Sequence, residues 1–288
     1  MSEILITGGA GNFGRTLATA LAEAGHGLRL LDLPSCDFSF AEQWSDTRIF
    51  RGDILEPASW RDAVQGVDLV FHLAAILPPF SEEDRERTFR VNVEGTKKLL
   101  ETCQEAGSPG VIFASSISVY GEPKGEGRPL RSDDPVNPID IYAESKVACE
   151  EILARSALPW VNLRISGIAI PEFLDPPEPW PFVPDQRIEL VALSDLVEAM
   201  VAVVGRPEAF GKTLIIAGGP MWQVMGREYV SRWGEIMEIP LDEMSFQDRP
   251  GWLNWYDTAE SQALLGYQKT TLEAFFEQLQ AAVKEALA

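Results

Sequence analysis

Residues 7–14 read Thr7-Gly8-Gly9-Ala10-Gly11-Asn12-Phe13-Gly14. They stand between a strand-forming run, 3–7, and an Ala- and Leu-rich stretch of helical period, 12–24. Glycines at such a junction turn the chain tightly, let the backbone approach a pyrophosphate, and let the helix pack closely on the strand. The helix start then offers free amides and a positive dipole end to an anion. Gly9-x-Gly11-x-x-Gly14 and Gly8-x-x-Gly11-x-x-Gly14 both fit, and the register stays open.

Outward from this loop, strand-length apolar runs at 3–7, 28–32, 47–51, 68–73, 111–115 and 160–164 alternate with helical patterns at 12–24, 57–64, 83–105 and 141–155. That alternation predicts βαβ units and an α/β fold, a Rossmann-type doubly wound parallel sheet with a smaller C-terminal substrate-binding lobe. Asp32 closes the second run 18 residues beyond Gly14, near the spacing of a carboxylate that bonds a ribose hydroxyl pair. The following stretch, 33–40, contains no Lys or Arg to receive a 2′-phosphate, so NAD is expected over NADP. At 171–184 six prolines and three aromatics exclude helix and argue against a central strand, so a loop over a pocket is expected there. The domain reading is 1–170 for dinucleotide binding and 171–288 mainly for substrate, with about 190–217 returning to the first domain. Later patterns suggest helices at 193–204, 227–237, 258–265 and 272–287 and a strand at 213–216.

Tyr142 and Lys146 stand four apart on a predicted helix and so project from one face. A phenol is a poor base at neutral pH, and a neighbouring ammonium is expected to lower its pKa. Ser116, at the end of the fifth predicted strand, lies where ligands of open α/β sheets gather. The chain carries 24 Lys and Arg against 44 Asp and Glu, a net charge of −20 that repels phosphate backbones and anionic lipid. A small-molecule substrate is therefore expected, with no nucleic acid and no membrane. Cys36, Cys103 and Cys149 are far apart and accompany only two histidines, which suggests a reduced, cytoplasmic chain without a metal.

Taken together, the residues resemble the extended short-chain dehydrogenase/reductase family, the NAD-dependent epimerase/dehydratase group. The resemblance rests on the glycine loop, Gly52-Asp53-Ile54, His72-Leu73-Ala74-Ala75, Asn92-Val93-Glu94-Gly95-Thr96, the run from Ser115 to Gly121, and Tyr142-Ala143-Glu144-Ser145-Lys146. It covers residues 1 to about 166, with weaker echoes at 191–196, 257–260 and 264–267. It implies Tyr142 as general acid/base, Lys146 as tuner of its pKa and ligand of the nicotinamide ribose, and Ser116 as the hydroxyl that orients substrate. It also implies a cofactor site of Gly8, Gly11, Asn12, Phe13, Gly14, Asp32, Asp53, Ile54, Leu73, Ala74 and Ala75 together with Tyr142 and Lys146, Asp53 meeting adenine. Asn92 would support a water network, and a homodimer would form through paired helices.

Two departures bear on the reaction. Ile117 and Ser118 stand where the group's dehydratases carry an acidic pair, and Arg164-Ile165-Ser166-Gly167 replaces the Arg-Tyr-Phe-Asn usual in its nucleotide-sugar epimerases. Residues 171–260 offer few cations for a diphosphate, mainly Arg187, Arg227, Arg232 and Arg249. Trp180, Phe182, Trp222, Trp252 and Trp255 either fill the lobe or stack on substrate. The resulting expectation is an NAD-dependent oxidoreductase or epimerase acting on a secondary alcohol of a small carbohydrate-like molecule. Alternatives are a nucleotide-sugar 4-epimerase and a net dehydrogenase or reductase of a non-sugar alcohol or ketone. A non-catalytic dinucleotide sensor is the competing class, against which the intact Ser116, Tyr142 and Lys146 argue.

Overall fold

A computed structural model of the chain describes residues 1–123 and 127–288. Strands β1 (Glu3–Thr7), β2 (Gly27–Asp32), β3 (Thr47–Arg51), β4 (Leu69–His72), β5 (Gly110–Ser116) and β6 (Trp160–Ile165) follow in chain order. Three short strands come next, β7 (Gly167–Ala169), β8 (Arg187–Ile188) and β9 (Leu190–Ala192), then β10 (Lys212–Ile216) and β11 (Val224–Met225). Seven of them form one sheet in the order β10-β6-β5-β4-β1-β2-β3. The pairs β1·β2, β1·β4, β2·β3 and β4·β5 are parallel. Ile4, Leu5 and Ile6 are all fully buried, as expected of a strand covered on both faces. Chain order reverses between β1 and β4, and this switch point is where open α/β sheets leave a crevice at their carboxyl ends. Thr7 pairs with both Leu31 and His72 in register, which brings the ends of β1, β2 and β4 level.

Helices α1 (Asn12–Glu23), α2 (Arg85–Phe89), α3 (Gly95–Glu105), α4 (Ile141–Arg155), α5 (Leu193–Val204), α6 (Gly226–Met237), α7 (Ala259–Leu265) and α8 (Leu272–Ala286) supply the rest. Helix α1 buries Gly14, Leu17, Ala18 and Leu21, the i, i+3, i+4, i+7 stripe of an amphipathic helix. Two expectations are corrected. The helix predicted at 57–64 is a pair of 3-10 turns, Pro57–Ser59 and Arg61–Val64, hinged on the fully buried Trp60, whose indole Nε1 donates to the Asp53 carbonyl at 2.8 Å. The single helix predicted at 83–105 is divided into α2 and α3 by a π-helical turn over Arg90–Glu94.

The chain divides into two compact units, one of residues 1–116, 140–163 and 200–213, the other of 117–139, 164–199 and 214–288. Residues 117–139 thus belong to the second unit and 200–213 to the first. The first is built on a core that includes Leu5, Leu31, Trp60, Val70, Leu99, Val111, Phe113 and Leu153. In the second, Trp180, Phe182 and Trp222 are buried and fill its interior, Trp180 packing edge-on to Tyr229 and Trp233, whereas Trp252 and Trp255 are half-buried. Residues 171–184 hold no helix, and Trp180 makes an isolated bridge with Phe246. No helix among the described residues is long and apolar enough to cross a membrane.

Candidate active site

All of the site residues expected from sequence lie in the first unit. The glycine loop joins β1 to α1 with Gly11 at the N-cap. No side chain caps α1 and no acid stands in its first turn, so the leading amides remain available to an anion. A Cβ on Gly14 would lie 2.1 Å from the Gly8 carbonyl oxygen, and one on Gly8, where φ is +71°, would lie 2.9 Å from the Ala74 amide. At Gly11 the nearest atom to a Cβ is the Gly8 oxygen at 3.3 Å. Gly8 and Gly14 therefore shape the loop, and Gly11 leaves an open concavity at the helix start that suits a pyrophosphate.

Asp32 ends β2. Its Oδ2 accepts from the Ala10 amide at 3.0 Å and its Oδ1 from Leu33 at 2.8 Å, tying the strand end to the loop. The structure also brings two cations to the stretch after Asp32 that the linear reading missed. Arg51 Nη1 donates to the Pro34 and Cys36 carbonyls, and Arg15 Nη2 to that of Asp37. Both guanidiniums stack on loop rings, Arg15 on Phe40 and Arg51 on Phe38, and so brace the loop. Asp53 caps its own turn, Oδ1 accepting from Leu55 at 2.9 Å, and the buried Ile54 presses so closely on Gly95 that a Cβ there would meet it at 2.9 Å. Leu73, Ala74 and Ala75 follow β4, with the Ala74 amide donating to Thr7 Oγ1 at 3.3 Å.

His72, the first residue of the His72-Leu73-Ala74-Ala75 motif, is fully enclosed. Thr96 Oγ1 donates to the Asn92 carbonyl, so it must accept from His72 Nε2 at 2.8 Å, which leaves Nδ1 as acceptor for the Thr7 hydroxyl at 2.7 Å. Burial, helped by the Lys146 charge, lowers the pKa to about 3. The folded value lies below the unfolded 6.5, so the unfolded chain binds the extra proton and stability falls as pH drops from about 6.5 toward 3. Urea unfolding at pH 7 and pH 4 should show a loss of roughly 3 kcal/mol from this residue. A His72→Gln chain with an unchanged pH slope would refute the assignment.

Tyr142 and Lys146 lie on α4, with Lys146 Nζ 5.5 Å from the Tyr142 ring centroid and 4.8 Å from that of Phe113. The ammonium donates to the Ala114 carbonyl at 2.7 Å, and burial lowers its pKa to about 8. Ser116 ends the neighbouring β5. The phenol departs from expectation: burial, with Asp140 and Cys149 adding to it, raises its pKa. At neutral pH the phenol is protonated.

Asn92 does not lie free on a helix face. From the π-turn its buried carboxamide accepts from the Ile76 amide at 2.7 Å and donates to the Ile76 carbonyl at 3.2 Å and to Ser145 Oγ at 3.0 Å. Ser145 in turn donates to the Tyr142 carbonyl at 2.7 Å. The segment after β4 is thereby stitched to the helix that carries Tyr142. Among the described residues no cluster of His, Cys, Asp or Glu is placed to hold a metal ion.

In the second unit Arg187, Arg227 and Arg232 each have a different partner. Arg187 bonds the Gly127 carbonyl and stacks on Trp255, Arg227 faces Asp185 at 3.7 Å, and Arg232 pairs with Glu273. A hollow of about 510 Å³, lined by Arg227, Asp242, Leu241, Met244, Phe246 and Pro184, contains none of the expected catalytic or cofactor-binding residues.

The sequence profile of the NAD dependent epimerase/dehydratase family matches residues 4–172. D-erythronate dehydrogenase of Cupriavidus necator is 37% identical over 169 residues, covering 53% of this chain and 49% of that protein. A 3 beta-hydroxysteroid dehydrogenase/Delta 5→4-isomerase of Mycobacterium tuberculosis is 34% identical over 182 residues, 58% of this chain and 47% of its own length. The chain spans about half the length of the curated relatives it matches. Among solved structures, MoeE5 in complex with UDP-glucuronic acid and NAD is 25% identical with a TM-score of 0.81, covering 99% of both chains. UDP-glucuronic acid 4-epimerase from Bacillus cereus, solved with NAD, shares the fold at 22% identity and a TM-score of 0.81, covering 99% of this chain and 100% of that one.

Proposed function

The chain belongs to the NAD-dependent epimerase/dehydratase family, and we propose that it is an NAD-dependent enzyme acting on a secondary alcohol of a small carbohydrate-like substrate, with Ser116, Tyr142 and Lys146 as its working groups. The observation that carries this reading is Tyr142 and Lys146 on one helix with Nζ 5.5 Å from the phenol ring, while Ser116 ends the adjacent strand. NAD, when bound, supplies the hydride acceptor and, oxidised, a positive charge. The open concavity at Gly11, the uncapped start of α1 and the carboxylate of Asp32 are the features that fit it.

Tyr142 exchanges the proton of the substrate oxygen, Ser116 orients that oxygen, and Lys146 holds a charge that favours the phenolate. The phenol is protonated at pH 7, the more firmly for its burial, so it is ready to donate to a carbonyl, and alcohol oxidation is expected to speed up as pH rises. Dispersal of Arg187, Arg227 and Arg232 among separate partners supports a substrate without a diphosphate. The likeness to D-erythronate dehydrogenase supports a sugar acid. A second reading, an apolar alcohol, draws on the exposed Leu77 and Phe80 between Ile76 and Glu82 and on the hydroxysteroid relative.

An NADH absorbance screen of D-erythronate, free uronates, aldoses and a 3β-hydroxysteroid, beside an epimerisation assay with UDP-hexoses, separates these cases. Turnover of D-erythronate or a uronate is expected, and efficient interconversion of UDP-hexoses would overturn the substrate reading. NAD should bind more tightly than NADP, since Asp32 repels a 2′-phosphate. Asp32→Ala should weaken NAD by about 1 to 3 kcal/mol, as read by fluorescence titration, and tighter binding of NADP by the unaltered protein would contradict the cofactor reading.

A further inference from the structure

The N-terminus of α4 has a second anchor. Its first-turn amides are orphans that no turn of the same helix can satisfy. Asp140, the N-cap, takes only one of them, its Oδ1 accepting from Ala143 at 2.7 Å. The two nearest the end are taken from 60 residues away, where Glu82 Oε2 accepts from the Ile141 amide at 2.9 Å and Oε1 from that of Tyr142 itself at 3.0 Å. Ser81 Oγ donates to the same Oε1 at 2.8 Å, Ser81 is fully buried, and its carbonyl accepts from Thr88 Oγ1 at 2.9 Å. The carboxylate is thus aimed by its own surroundings, although the residue as a whole is exposed.

Segment 76–82 consequently has two fixed ends. Asn92 clasps both backbone groups of Ile76, next to the Ala74–Ala75 pair, and Glu82 clasps the amide of the residue that bears the phenol. An ordinary N-cap would stabilise α4 equally well without tying it to this segment. The long-range carboxylate adds a constraint on where Tyr142 stands relative to the chain that leaves β4.

We propose that Glu82 is a positioning residue for Tyr142: it acts through the backbone amides of Ile141 and Tyr142 to hold the phenol in place against the segment that follows β4. This rests on the role given to Tyr142 under Proposed function. A misplacement of about 1 Å at a reacting group can cost on the order of 100-fold, whereas an exposed cap lost from a large chain moves melting by only a few degrees.

The test compares unaltered protein, Glu82→Ala and Glu82→Gln, using whichever of D-erythronate or the 3β-hydroxysteroid the unaltered protein oxidises. Glu82→Ala should lower kcat by roughly 10- to 100-fold, with NAD affinity within about twofold and melting within about 5 °C. Glu82→Gln, which keeps one acceptor oxygen, should give an intermediate kcat. Amide hydrogen exchange at Ile141 and Tyr142 should accelerate in Glu82→Ala. Unchanged exchange, or a kcat equal to the unaltered protein's while Tyr142→Phe is nearly inactive, overturns the role of Glu82 and leaves the functional reading standing. If Tyr142→Phe is fully active, the functional reading fails instead, and the exchange rates still decide whether Glu82 holds the helix.

Discussion

Tyr142→Phe should lower turnover by about 10²- to 10⁴-fold while NAD binding stays within a few-fold of the unaltered protein. The substitution removes one oxygen and leaves the ring, so packing against Lys146 Nζ at 5.5 Å persists. What disappears is the group that exchanges the substrate's proton. At about 1.4 kcal/mol per factor of ten, the loss corresponds to roughly 3 to 5 kcal/mol of transition-state stabilisation. Single-turnover absorbance at 340 nm with a substrate from the screen measures it, and a calorimetric NAD titration checks that binding survives. Full activity in Tyr142→Phe would mean that proton exchange happens elsewhere, and the site would have to be reassigned.

Gly14→Ala is expected to weaken NAD by at least about 100-fold, near 3 kcal/mol, or to prevent folding. Its Cβ would sit 2.1 Å from the Gly8 oxygen and 3.0 Å from Gly9, all backbone atoms with no side chain to swing away. The loop itself must move, and overpacking of this kind costs roughly 1 to 3 kcal/mol before any ligand is considered. Gly11→Ala provides the contrast. Its nearest neighbour, the Gly8 oxygen, is at 3.3 Å, so the loop need give only a few tenths of an ångström, and a large loss of NAD affinity with the fold intact would point to blocking of a close ligand. Circular dichroism and NAD titration of both variants distinguish the two mechanisms. Gly14→Ala binding NAD like the unaltered protein would show that the loop is more plastic than its contacts imply.

Alternation of strand-length and helical patterns was enough to place all six leading strands and the glycine loop; the inner strands, such as β1, are covered on both faces and read as hydrophobic stretches, whereas β3 is an edge strand with no buried residue. Tyr142 and Lys146 were legible because helical spacing is a local property. Partners distant in sequence were not. Nothing near Asp32 announces Arg51, and nothing near Tyr142 announces Glu82, since both contacts depend on how sheet order brings separate loops together. Electrostatics misled in one respect: a Tyr-Lys pair suggests a lowered phenol pKa, but only three dimensions reveal the burial that raises it. Trp180, Phe182 and Trp222 proved to be interior, a distinction that composition cannot make.

The π-turn at Arg90–Glu94 explains why one helix was expected where two are found, and it carries a consequence for insertions and deletions. A π-turn holds one residue more than the α-helix it interrupts. The stripes of α2 and α3 are therefore out of phase by one residue, about 100° of rotation. Deleting a single residue between 90 and 94 would restore a regular helix and add to its local regularity. It would also swing Asn92 away from Ile76 and Ser145, or rotate α2 off its seat. This stretch is thus a reading frame in space: its length is fixed even where its side chains are free to vary, and a one-residue change should be tolerated less well than most substitutions within it.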